Sequence, residues 1–341
     1  MKNNFFGMNI NRAVDAQPLL VKIDSKRFWD DGCSWVHVNP ARGEFDPTTI
    51  TKWITVLQAA GVKDVLFELG GTPSWASTNQ AQGCDYNRLG YCSPPSDLHS
   101  DGTGPNLIWR EWCKYIAQLF TTFPGVLVSG WCPWNEFTRQ VGWTGTHSWL
   151  GTSQQMVRLA EDARAIILGR GHGITATHET ITEALATVGL TSAAYNRTNS
   201  SVLLSPSSGA GKWFFPKLLA YYSTPGAVEA VEASAVHLYP EPDNTSKGAL
   251  AVFDAYVAAM SGYPIKPLWI TEGSYRGGPS SGQSIADFVR GYYTELYNLV
   301  DRIYWYAYDD PTCGQLASGK LLLPSGVAYN EVYKKLIVPS T

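Results

Sequence analysis

Apolar positions along the chain fall into two rhythms that alternate from end to end. Short runs of four to seven residues, rich in β-branched and aromatic side chains, are separated by longer stretches in which apolar residues recur every three or four positions. The short runs predict eight strands: Phe5 to Ile10, Lys26 to Asp30, Asp64 to Leu69, Val126 to Trp131, Ser201 to Pro206, Ala233 to Tyr239, Pro267 to Glu272 and Arg302 to Tyr308. Around the second, Ser34 to Val38 (SWVHV) competes for the same place. The longer stretches predict helices. In FDPTTITKWITVLQAAG, Asp46 can cap, Pro47 suits the first helical position, Ile50, Trp53, Ile54 and Leu57 share a face, and Gly61 follows the end. Further helical patterns cover Asn106 to Phe120, Ser153 to Leu168, Lys212 to Tyr222, Ala249 to Met260, Gln283 to Val300 and Ala328 to Leu336.

Strands alternating with helices mean an α/β protein with a parallel sheet, and eight such units favour a closed (β/α)8 TIM barrel over an open doubly wound sheet. A dinucleotide-binding fold would need GxGxxG after its first strand, and FFGMNINRA lacks it. Residues 1–341 are expected to form one catalytic domain, with an insertion at 169–200 that carries its own helical stretch, HETITEALATVG. No Pro- or Ser-rich linker and no internal repeat divides the chain.

Composition narrows the partners. Of the residues 44% are hydrophobic and only 16% charged, with 13 Trp and 18 Tyr, enough to build a large core and still line a cleft for a polar ring-shaped ligand. A net charge of −3 without a basic run makes nucleic acid an improbable partner. No apolar stretch reaches the roughly 18 residues of a membrane span, and the first residues do not form a signal peptide, although a leader could have been removed. Cys84 and Cys92 bracket a loop rich in Gly, Asn and Pro; a disulfide there would point to an extracellular or periplasmic location, and two unpaired thiols are the alternative. The remaining four cysteines lack zinc-ligand spacing, and the histidines of HGITATHE lie too far apart for HExxH, so no metal and no cofactor are expected. Sequons at Asn196, Asn199 and Asn244 would matter only in a secreted eukaryotic protein.

The chemistry-bearing residues gather at strand ends. In a barrel the active site forms at the C-terminal ends of the strands. Glu136 lies just past the fourth strand, His237 and Tyr239 end the sixth, Glu272 ends the seventh, and Trp305 lies in the eighth. Two glutamates from opposite sides of a barrel are the equipment for cleaving an acetal, one protonating the leaving oxygen and the other attacking the anomeric carbon. Framed by Trp131 and Trp134, Glu136 suits the acid. Glu272, near Arg27, His237 and the hydroxyl of Tyr239 or Tyr275, suits the nucleophile. Two structural carboxylates are the bland alternative, and a core histidine is the same for His237. Trp75, in TPSWAS directly after a strand, is the tryptophan best placed to stack on sugar, ahead of Trp35, Trp143 and Trp149.

PWNEF and WITEGSY, with HLYP between them and YWYAYDD after, resemble the catalytic signature of clan A retaining glycoside hydrolases, most nearly glycoside hydrolase family 39 and its relatives. KRFWDDGCSWVHVNPARGEFD, LGGTPSWAS and LPSGVAYNEVYKKL extend the likeness over almost the whole chain. The resemblance implies Glu136 as acid/base, Glu272 as nucleophile, Asn135 as ligand of the sugar 2-hydroxyl, His237 and Tyr239 as supports, Arg27 as the basic residue of the clan's second strand, and Trp305 as the floor of the −1 subsite. Phe137 departs from the pattern, where proline commonly follows Asn-Glu, and is expected to border the sugar. The implied activity is hydrolysis of an oligo- or polysaccharide with retention, endo action slightly favoured, by a monomer. β-Xylosidase, α-L-arabinofuranosidase and exopolysaccharide endoglycosidase activities all remain open, and a catalytically silent carbohydrate-binding barrel or a metal-dependent barrel hydrolase are the rivals.

Overall fold

The computed structural model describes residues 2, 4–11, 18–80, 84, 88–139, 148–240, 245–264, 266–275 and 284–337. Trp143, the Asn244 sequon and Gln283 lie outside them. Nine strands form one parallel sheet: β1 Phe6–Asn9, β2 Ser25–Phe28, β3 Asp64–Glu68, β4 Leu127–Cys132, β5 Val202–Leu203, β6 Ser208–Gly209, β7 Ser234–His237, β8 Leu268–Gly273 and β9 Arg302–Trp305. Their order is β5-β4-β3-β2-β1-β9-β8-β7-β6. The two outermost strands are consecutive in the chain, and between them Leu204 bridges Ala233 in parallel, so β5 and β6 are two halves of one barrel stave. The fold is a (β/α)8 TIM barrel.

That divided stave corrects the continuous fifth strand expected over Ser201 to Pro206. Pro206 has no N–H to give a ladder, so the pairing to β4 ends and pairing to β7 resumes two residues later at Ser208. SWVHV is also resolved: Trp35–Val38 is a helical turn, and β2 belongs to Ser25–Phe28. The first long helix is Thr48–Ala59, where Pro47 sits one position before the first turn and the Asp46 carboxylate accepts from Thr48 N at 2.9 Å. Ser153–Leu168 starts at a Thr152/Gln155 capping box and stops at Gly169, which takes a left-handed φ of 61°. In the segment 169–200 the helix Ile181–Thr187 is held to the barrel by Arg110, which donates to Asp162, Glu179 and Thr187.

Alternation along the strands sorts the side chains into two shells. Met8, Phe28, Val65, Phe67, Trp131, Val236, Ile270, Ile303 and Trp305 face outward into the main core with the helices. Leu66, Cys132, Leu204, Ala235, Trp269 and Tyr304 fill the middle of the barrel as a separate cluster. The lumen is packed so tightly that a Cβ on Gly7 would lie 2.3 Å from the Tyr304 ring, and one on Gly130 would lie 2.6 Å from Trp269. Polar inward residues are thereby pushed to the two ends: Ser25, Asp64 and Ser129 at the strand starts, Asn9, Arg27, Glu68, His237 and Glu272 at the strand finishes. Among the described residues no helix is long and apolar enough to cross a membrane.

Candidate active site

Arg27 is the centre of the C-terminal end. It is 1% exposed, and its guanidinium spreads over four strand ends. Nε donates to Glu68 at 2.9 Å, Nη1 to Asn9 at 3.0 Å and to Glu272 at 2.6 Å, and Nη2 to Asn135 at 2.5 Å. Burial alone would lower its pKa, but the charges of Glu68 and Glu272 outweigh that and push it well above its usual value. A permanently charged, rigid fork therefore fixes one oxygen of Glu272 and the amide of Asn135 together. The other oxygen of Glu272 accepts from the Tyr239 hydroxyl at 2.9 Å and lies 3.2 Å from His237 Nδ1.

Glu136 reaches the same place from the opposite side. Its backbone has a φ of 48°, a left-handed conformation that costs a non-glycine residue about 1 kcal/mol. The loop is pinned there by Ser207, just before β6: Ser207 Oγ accepts from Glu136 N at 3.0 Å, Ser207 O accepts from Phe137 N at 3.1 Å, and Ser207 N donates to Trp134 O at 2.7 Å. The divided stave thus aims Glu136 across the barrel. Its carboxylate lies 3.1 Å from Arg139 Nη1 and 3.1 Å from His237 Nδ1. One oxygen of Glu136, one of Glu272 and a nitrogen of His237 all lie within 4.8 Å of one another.

The apolar frame expected for Glu136 is not what surrounds its carboxylate. Trp131 points outward against Phe67, Phe120 and Tyr195, and Trp134 packs edge-on to Trp149 with its Nε1 donating to Ser148 O. Phe137 is 1% exposed and packs on Tyr221, so it anchors the loop instead of bordering a ligand.

Two expected binding residues, Trp305 and Trp75, lie apart from the carboxylates. Trp305 is fully buried among Phe288, Tyr292 and Tyr293, with its Nε1 donating to Gly314 O at 2.9 Å, and presents no face to the cleft. Trp75 donates to Asn39 O and lines a flank cavity of about 280 Å³ with Phe45, Leu107, Ile108 and Trp112, none of which touches the Arg27 network. The Tyr275 ring is buried edge-on to Phe288.

Other residues entered without being singled out by sequence. Asn9 and Glu68 complete the Arg27 cage. Asp30, two residues past β2, keeps an open face to solvent and accepts from the Tyr306 hydroxyl at 2.8 Å. Loss of hydration in the concave site and the charge of Glu272 push its carboxyl up to about 7, against the opposing pull of Tyr306 and Arg27. Strand parity was the signal for Asn9, Glu68 and Tyr306: Tyr304 faces inward and Trp305 outward, so Tyr306, one residue past β9, is the next aromatic directed at the lumen.

Glu136, His237 and Glu272 are also the one group of described residues that could hold a metal ion. Arg27 and Arg139 already contact both carboxylates, and their positive charges oppose a second cation there.

No protein-family model matches the sequence, and no curated protein matches it, so family 39 membership has no support beyond the motifs. Solved structures do match. A glycoside hydrolase subfamily GH5_18 structure from Streptomyces cattleya in complex with Manb1-4GlcNAc has a TM-score of 0.57 at 14% identity, covering 93% of this chain and 73% of that one. A GH26 endo-beta-1,4-mannanase catalytic domain from Bacillus sp. JAMB-750 gives 0.56 at 10%, covering 97% and 86%. A glucosidase from Croceicoccus marinus gives 0.55 at 13%, covering 98% and 68%. At such identities the likeness is one of fold: this chain has the barrel on which these glycosidases are built.

Proposed function

We propose that the protein is a retaining glycoside hydrolase acting on an oligo- or polysaccharide, with Glu272 as nucleophile and Glu136 as acid/base. The observation that carries this reading is the approach of the two carboxylates to within 4.8 Å, with Glu272 held by Arg27 and Tyr239. Retaining enzymes place their carboxyl groups about 5–5.5 Å apart, and inverting ones leave roughly 6.5–9.5 Å for a water.

In the first step the Glu136 acid gives its proton to the glycosidic oxygen as Glu272 attacks the anomeric carbon, so the C–O bond to the leaving group breaks as the ester bond forms. In the second, Glu136 takes a proton from water, whose oxygen displaces Glu272. Arg27 and Tyr239 hold Glu272 for in-line attack, Asn135 is placed by Arg27 to meet a ring hydroxyl, and His237 bridges the two carboxylates. Endo action is the slightly favoured mode. The fold likeness to glycosidases of several specificities supports the carbohydrate substrate without choosing the sugar.

The disulfide Cys84–Cys92, with Cα atoms 5.9 Å apart, supports an oxidising compartment. The test is turnover on a panel of aryl glycosides and polysaccharides, with product stereochemistry by NMR, for wild type and Glu272→Gln. Retained configuration in the first product and loss of turnover in the variant support the proposal. Binding without turnover in both proteins would make the chain a carbohydrate-binding barrel, and chelator-sensitive activity restored by metal would replace the two-carboxylate mechanism.

A further inference from the structure

Asp30 and Tyr306 form a hydrogen-bonded pair at the rim of the barrel that the two-glutamate chemistry does not use. Asp30 stands three residues beyond Arg27, and its carboxyl is raised by the charge of Glu272 and lowered by that of Arg27. Tyr306 stands one residue beyond β9, senses both Asp30 and Glu272, and also accepts from Asn11 Nδ2 at 3.4 Å. In the strand order β9, which leads into Tyr306, lies beside β8 with Glu272 and stands across the barrel from β4, which leads into Glu136. The hydrogen bond to Tyr306 draws Asp30 to the same part, so the pair lies on the Glu272 side of the site.

That placement fixes which part of a substrate it would meet. Glu136 must face the leaving group and Glu272 the anomeric carbon, so groups near Glu272 and remote from Glu136 face the ring of the sugar being transferred. The neighbouring Asp31 is bonded to Lys26, whose ammonium lies between the Phe28 and Trp53 rings on the outward face of β2. Lys26 is thus engaged elsewhere, and among the described residues no cation forms a salt bridge with Asp30. Above pH about 7, where it is ionised, Asp30 offers an open carboxylate with one oxygen tied to Tyr306 and lone pairs left over, an acceptor suited to adjacent hydroxyls or an ammonium and hostile to another carboxylate.

We propose that Asp30, oriented by Tyr306, is a specificity-determining residue that binds ring hydroxyls of the transferred sugar and restricts the site to neutral or amino sugars, excluding uronic acids. This rests on the reading of Glu272 and Glu136 as the reacting pair. It adds a selection rule that those two residues do not supply, because a site built to pair with hydroxyls rejects analogues that leave its acceptor unpaired or repelled.

The test compares wild type, Asp30→Asn and Tyr306→Phe on matched neutral and uronic-acid oligosaccharides at pH 8, by turnover and by calorimetric binding, with thermal melting to show that each variant is folded. Wild type should favour the neutral series at least about tenfold. Asp30→Asn should raise KM for neutral substrates about tenfold with a smaller change in kcat, and should shrink the discrimination against uronides. Tyr306→Phe should weaken neutral binding while leaving that discrimination in place. Equal wild-type use of both series, or Asp30→Asn values within twofold of wild type throughout, would overturn the inference. If wild type shows no turnover at all, the hydrolase reading fails, and the binding comparison still decides the role of Asp30.

Discussion

At the start of the strands, Arg302 donates to Asp64 at 2.7 Å, Ser129 Oγ adds a second bond at 2.8 Å and Asn4 a third at 3.0 Å. At their far end, Arg27 faces Glu68 and Glu272 together, with Glu136 and Asp30 nearby. The two ends use the same chemistry, an arginine against buried carboxylates, but the first is a one-to-one pair closed by neutral donors and the second carries more acid than base. Burial pushes the Asp64 carboxyl up and Arg302 opposes it, a local compromise. An excess of carboxylates is a standing cost to folding, and it is retained only where charge has work to do. This asymmetry separates a structural plug from the proposed reactive centre within a single barrel.

The largest effect that would test the contrast is on rate. Glu272→Gln should lower kcat by about 10⁴-fold or more while the fold persists, since the amide keeps the shape and loses the nucleophile; stopped assays on the best substrate from the panel check it. Arg27→Met comes next. It strands Glu68 and Glu272 without their cation and should cost about 3–5 kcal/mol in denaturant unfolding, together with most of the activity. Arg302→Met should cost less, about 1–2 kcal/mol, because Asp64 keeps its bonds to Ser129 and Asn4, and kcat should stay within about threefold of wild type. If Arg302→Met lost rate in proportion to Arg27→Met, the two ends would not be functionally distinct.

How much of this was legible in the chain follows from what each feature depends on. Runs such as DVLFEL and SQQMVRLAEDARAII carry their own period, and the strands and helices they announce lie within a few residues of expectation. The carboxylates stood out because an acid ending an apolar strand is costly. Parity was harder. Trp305 attracted notice as an aromatic in the last strand, yet a one-residue step reverses the face, and the lumen received Tyr304 and then Tyr306 instead. The division of the fifth stave was signalled by Pro206, but its consequence, that Ser207 holds the turn of Glu136, depends on a contact between residues 71 apart. Local pattern cannot express such a contact.

The smallest effect concerns Asp30, the acid that the excess charge leaves most exposed, and here the sign can be worked through. A carboxyl that sits near 4 in the unfolded chain and about 7 in the folded one binds its proton more tightly when folded. Its contribution to stability is therefore intact below pH about 4, is lost as pH rises through about 7, and is missing above that. Asp30→Asn carries no charge at any pH, so its melting temperature should match wild type at pH 4 and exceed it at pH 8. The gap should be only about 1–2 °C, because an open face to solvent screens most of the repulsion from Glu272. Melting curves at pH 4, 6 and 8 measure it. A gap that widens with pH places Asp30 in the same overcharged cluster as Glu272. A constant gap would mean that its carboxylate is solvated independently, and that the charge imbalance ends at the Arg27 cage.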